Sequence, residues 1–193
     1  TQVFTDRSEL DDALSTIIMK GLPPENILAV EYCETADDEG IYRKYASYHI
    51  DGRVFSRDIL FSEQWICNFP DLTEESMIEE EWRFLKENPY QLEVKRYFEM
   101  ANVEYGRIDY SFIDDRMVVW EINTNPIVMM HPSKYDESRI PLQEYYATRI
   151  GQEYSLLLDT VESADPLPLT VNPQTLYSLL HTLKKPGDGR TDY

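Results

Sequence analysis

Basic residues are scarce in this chain. Its 193 residues include 18 Lys and Arg against 36 Asp and Glu, for a formal net charge of -18. Spread evenly, such a field repels phosphate backbones and anionic lipid surfaces, so nucleic acid and membranes are excluded as partners. An anionic ligand would need a local arginine pocket or metal ions that reverse the sign of the field. Cysteine is nearly absent: Cys33 and Cys67 form neither a CxxC pair nor a disulfide framework, which suits a reducing, cytoplasmic location. No apolar run approaches the roughly 18 residues of a membrane span, and no basic, apolar leader opens the chain. It starts at Thr1 rather than a methionine and is read as part of a longer protein. The seven glycines form neither GxGxxG nor a P-loop, three histidines lack metal-ligand spacing, and there is no GxSxG elbow. What remains is a hydrophobic content of 42%, with 14 tyrosines, enough to drive folding of one domain or of two tightly packed subdomains.

The order of patterns reads as an α+β fold, an antiparallel sheet flanked by helices. Leu10, Leu14, Ile17 and Ile18 recur at helical spacing after the candidate caps Thr5 and Asp6, and Gly21, Pro23 and Pro24 stop that helix. Ile27 to Cys33 reads as a buried strand, followed by an acidic loop and a tyrosine-rich strand from Ile41 to Ile50. Asp51-Gly52 suits a type I′ turn, so Arg53 to Leu60 should pair antiparallel with that strand. Met77, Ile78, Trp82 and Leu85 mark a second helix ended by Asn88-Pro89, and Val94, Tyr97, Phe98 and Ala101 mark a third. Two strands follow, 104–113 and 117–123, and then a helix begun by Pro141. Beyond residue 162 lie a proline-containing linker, a short helix and a polar tail, which divides the chain into 1–162 and 163–193.

The informative segment runs from Tyr105 to Pro126. If Asp114, Asp115 and Arg116 form a three-residue loop, paired residues sum to 230 and Asp109 sits opposite Glu121. Arg107, Asp109, Glu121 and Asn123 then share one face, with Ile108, Tyr110, Val118, Trp120 and Ile122 on the other. Two carboxylates across a ladder repel. A divalent cation between them, with the amide oxygen of Asn123 as a third hard ligand, would relieve that cost and suits magnesium or manganese. A half-exposed sheet whose polar face is merely wet gives the same pattern, and a two-residue loop would put Asp109 and Glu121 on opposite faces.

Gly106-Arg107-x-Asp109, followed after eleven residues by Glu121-Ile-Asn-Thr-x-Pro126, resembles the C-terminal metal-binding hairpin of the ATP-grasp superfamily, especially its D-alanine:D-alanine ligase branch. The resemblance implies that Asp109, Glu121 and Asn123 coordinate magnesium bridging the ATP phosphates. It also implies that Arg107 steadies an acyl phosphate and the tetrahedral intermediate, where a developing oxyanion needs a fixed cation nearby. Ile127 follows Pro126 where those ligases often carry glycine. His131 and Ser133 fall where that family's substrate loop would lie. Ile27 to Cys33 looks like the family's hinge strand, which gives Glu31, Tyr32 and the backbone at Cys33 to adenine, and Asp38 or Glu39 to the ribose. Arg43 and Lys44 alternate on the next strand, and Arg43, sharing a face with Ile41 and Tyr45, is the one assigned to the phosphates.

The resemblance spans residues 1–162, the end of a nucleotide-binding subdomain plus a metal-binding one. It implies an ATP- and magnesium-dependent carboxylate-amine ligase when full length, acting on an unidentified carboxylate and amine and compatible with a homo-oligomer. The glycine-rich loop and lysines of that family have no counterpart here, so this stretch alone is expected to be inactive. A non-catalytic ATP-grasp-like binding or assembly module is the competing reading.

Overall fold

The computed structural model describes residues 3–69, 71–128 and 136–162. His131, Ser133 and the tail 163–193 lie outside them. The chain forms two compact units, Thr1–Ile150 and Gly151–Tyr193, and the cleft of the candidate functional site lies in the first.

Helix α1 (Arg7–Met19) opens with Asp6, whose carboxylate accepts the Glu9 N–H, an N-cap that serves one of the orphan amides of the first turn. Strands β1 (Tyr42–Ile50) and β2 (Arg53–Ser62) are joined by Asp51-Gly52, both at positive φ, as a type I′ hairpin requires. Helices α2 (Glu75–Glu87) and α3 (Gln91–Ala101) end in Asn88 and Asn102, each left-handed. Strands β3 (Tyr105–Ile113) and β4 (Arg116–Asn123) form the second hairpin, and α4 (Ile140–Glu162) follows. The four strands make one antiparallel sheet in the order β2-β1-β3-β4, an α+β architecture.

The odd-numbered residues of β1 face a core shared with α2 and α3. Tyr45 packs its ring edge on Phe84, His49 stacks on Phe98 at 4.8 Å, and Ile108, Tyr110, Val94 and Phe98 are fully buried. Burial lowers the basicity of His49, which keeps it a neutral core group. The opposite face carries Ala46, Tyr48 and Asp109, and at one end of it Tyr146 of α4 closes over Tyr48 and Phe55.

Two sequence expectations are overturned here. Ile27 to Cys33 belongs to no strand, and Leu28 and Val30 are 85% and 70% exposed. Both edges of β1 are already occupied, by β2 and β3, so this run has no ladder to join there; one bridge, Ala36 to Tyr42, ties the following loop to the sheet. The turn of the second hairpin has two residues, Asp114 and Asp115 at φ 47° and 62°, with Ile113 paired to Arg116. Aspartate tolerates the left-handed region well enough for two in succession to make that tight turn.

Candidate functional site

A two-residue turn alone would send Asp109 and Glu121 to opposite faces. A β-bulge prevents this: Tyr110 pairs with Val119, Asp109 pairs with Glu121, and Trp120 between them is the extra residue. The expected cross-strand pairing is therefore present, reached by a tighter turn plus a bulge rather than by a three-residue loop. Ser111 pairs with Val118, so Val118 lies on the Asp109 face, while Met117 and Val119 turn to the core. Trp120 also sits on the Asp109 face, its indole N–H donating to the Ser111 hydroxyl at 2.8 Å. Sequence alternation with a three-residue loop assigns Val118 and Trp120 to the other face; the two-residue turn moves both to the Asp109 face, and the bulge then brings Glu121 back to it.

Asp109 is 6% exposed and is gripped by Arg107 through both oxygens, Nε to Oδ1 at 2.7 Å and Nη2 to Oδ2 at 3.0 Å. Lys44 Nζ lies 3.5 Å from Asp109 Oδ2, and Arg107 Nη2 lies 3.5 Å from Glu121 Oε1. Glu121 is half exposed. The repulsion between the two carboxylates is thus offset by a guanidinium that touches both. Asn123 pairs with Arg107 in the ladder, and its amide oxygen accepts the Asn125 N–H at 2.9 Å. Gly106 is forced by packing: a Cβ there would come within 2.7 Å of the Asn123 carbonyl oxygen.

Arg43 borders the same cleft as Asp109 and Glu121, but its charge is engaged elsewhere. Its guanidinium is held by Asp37 and by Glu80 of α2, where it lies over the Phe61 ring. The Arg43 contact holds the Asp37 carboxyl below its ordinary range. Lys44, one residue on, is the cation that shares the face of Asp109. Alternation along β1 separated the two correctly, but only the pairing of Ala46 with Asp109 reveals which parity faces the carboxylates.

Asp109, Glu121, Lys44 and Trp120 line a cleft of about 930 Å³. Apolar residues of α1, the loop 65–68 and the run 27–33 also line it. Glu31, Tyr32 and Cys33 are in that lining. Tyr32 is fixed there by its hydroxyl, bonded to Glu34 and to the Tyr42 hydroxyl, and by an edge-on contact with Trp65. Those two bonds raise the phenol's pKa well beyond its usual value, and the Tyr32 bond is the main reason the Glu34 carboxyl is lowered. Asp38 and Glu39 lie in the turn before β1 and do not line the cleft. Trp120 is the site residue that sequence reasoning missed, and Lys44 is the one of the Arg43–Lys44 pair that it passed over, since only the register shows which of the two faces Asp109.

The donor set fits a hard divalent cation in kind: two carboxylates and an amide oxygen on one face of a ladder, with a guanidinium already standing between the carboxylates. Among the described residues no three His, Cys, Asp or Glu side chains converge, so a metal here would draw remaining ligands from Asn123, water or a bound anion. Cys33 and Cys67 are free thiols, and burial pushes the Cys67 thiol up to about 11. Among the described residues no helix is long and apolar enough to cross a membrane.

No protein-family model and no curated protein matches the chain. Among solved structures it is similar to a D-alanine–D-alanine ligase from Bacillus anthracis complexed with ATP, at 15% identity and a TM-score of 0.36, covering 80% of this chain and 49% of that one. The chain thus spans about half the length of that ligase. At this depth the likeness assigns neither family nor activity, and the geometry of the site has to carry the functional reading.

Proposed function

We propose that the cleft binds a magnesium nucleotide and that the chain is the metal-binding part of an ATP-dependent carboxylate-amine ligase with an ATP-grasp-like fold, working through an acyl phosphate. One observation carries this: Asp109 and Glu121 are held directly across a ladder, with Lys44 and Arg107 beside them, and Asp109, Glu121 and Lys44 line a cleft whose other lining is largely apolar. A nucleotide combines the same two characters, a flat apolar base and a charged polyphosphate. The base would lie along 27–33, with Glu31 and the backbone at Tyr32 and Cys33 as polar partners, and the phosphates would reach Lys44 and Arg107. Asp109, Glu121 and Asn123 would hold the magnesium, which supplies neutralisation of the phosphate charge when bound. Arg107, two residues from Asp109 on the same face, is placed to counter the negative charge that develops when an amine attacks the acyl carbon. Lys44, 20% exposed on a strand packed on both edges, orients the phosphate end.

Calorimetry with magnesium-ATP on the folded chain and on Glu121→Gln tests the reading. Loss of the magnesium-dependent part of the affinity, with circular dichroism unchanged, is expected; equal affinities would overturn it.

The bidentate grip of Arg107 on Asp109 favours a second reading, a binding module that never turns over, since the carboxylate already has its counter-ion. Nucleotide binding with no phosphate release from the longest natural form of the protein would support that reading.

A further inference from the structure

Asp109, Glu121, Arg107 and Lys44 sum to zero charge. Both oxygens of Asp109 are occupied by Arg107, the second also lies 3.5 Å from Lys44, and the Asp109 side chain is 6% exposed. A divalent cation cannot gain this carboxylate while the guanidinium keeps it. Adding the cation alone would leave two uncompensated positive charges on a partly buried face, and adding a doubly charged anion alone would leave two negative ones. Adding both keeps the set neutral and lets Arg107 exchange one partner for another.

From this we infer that Arg107 is a built-in placeholder cation, which closes the Asp109–Glu121 notch to divalent cations until an anion draws it away, so that cation and anion bind cooperatively. The inference rests on the metal reading above and adds its regulation. The hardware suits an exchange. Arg107 and Asp109 are two residues apart on one strand, so the clamp opens by rotation of the long arginine side chain, with no change in the β3 backbone. Glu121, 54% exposed and 3.5 Å from the same guanidinium, follows readily. Asp109 cannot move away, since it is buried and sits opposite Ala46 on one side and Glu121 on the other. Such linkage between two ligands commonly amounts to about 5- to 150-fold in affinity and acts equally in both directions.

Mn2+ binding to the full chain is the test, read by electron paramagnetic resonance of free Mn2+, without and with inorganic phosphate, each with a protein-free control at the same phosphate. For the wild type, phosphate should tighten Mn2+ by roughly 5-fold or more. Arg107→Gln should tighten Mn2+ in the absence of phosphate and flatten the phosphate effect. Arg107→Lys, which keeps the charge but not the two-pronged grip, should fall between. Glu121→Gln should abolish specific Mn2+ binding in all conditions. Phosphate-independent Mn2+ affinity that Arg107→Gln leaves unchanged, with Glu121 still required, would overturn the placeholder and leave the metal site standing. Mn2+ binding that survives in Glu121→Gln, or none in any protein, would overturn the metal reading and the placeholder with it.

Discussion

Trp120 and Glu121 are neighbours in the chain, yet their side chains lie on the same face of β4. The bulge that puts them there gives Trp120 no partner across the ladder, lets Glu121 meet Asp109, and turns the indole toward Ser111. A polar site and its aromatic wall are thereby set side by side on one strand.

Gly106 precedes the arginine of that site, and the missing side chain is what lets the end of β4 close on β3. Gly106→Ala puts a methyl group within 2.7 Å of the Asn123 carbonyl oxygen, a backbone atom that moves only with the strand. We expect a loss of about 1–3 kcal/mol in urea denaturation, the range of overpacked sites. Amide shifts should concentrate on Arg107 and Asn123, and unchanged stability would mean that β4 is held there loosely.

Glu81 of α2 and Arg139 form the most deeply buried ion pair among the described residues, at 2.7 Å with 0% and 1% side-chain exposure, and Arg139 also donates to the Ile59 carbonyl. Glu81 Oε2 has no hydrogen-bond partner. Desolvation outweighs the nearby Arg139 and Arg57, so the carboxyl is raised from its ordinary 4.5 to about 7. A raised folded-state value means that this group contributes stability below about pH 4.5 and loses it as pH rises to about 7. The stability difference between wild type and Glu81→Gln should therefore shift by about 1–3 kcal/mol over that window, in the direction of a weaker wild type at higher pH. The difference cancels carboxylates common to both proteins, such as Asp37, which act with the opposite sign. Parallel pH profiles of the two proteins would refute it.

Asn88 and Asn102 both end helices in the left-handed conformation, at φ 48° and 53°. Only Asn88 also works through its side chain, donating to the Val54 carbonyl at 2.9 Å and accepting from the Ser56 hydroxyl at 3.0 Å. Asn102→Gly should thus be neutral or stabilising by about 0.5 kcal/mol, since glycine adopts that conformation freely. Asn88→Gly should cost about 1–2 kcal/mol through two lost hydrogen bonds. Equal midpoints for the two variants in thermal melts would contradict this.

Sequence periodicity by itself determined the eight main elements that the structure contains, because turn chemistry at Asp51-Gly52, the cap at Asp6 and the apolar spacing of α2 and α3 are local properties. The pairing of Asp109 with Glu121 was legible in the motif, though the loop length first assigned to it was wrong. Facing was not legible where it depended on partners. Arg43 and Lys44 differ by one step of alternation, and which of them meets Asp109 is decided by the docking of β1 on β3. Trp120 changed faces because the turn is one residue shorter than expected, and Glu121 kept its face only through a bulge, which has no reliable mark in sequence. The run Ile27–Cys33 is apolar enough for a strand yet pairs with none: β1 has both edges taken by β2 and β3, and the run joins neither outer edge of the sheet, at β2 or at β4. Side-chain chemistry is carried by each residue alone, whereas the face it serves belongs to the pair of strands.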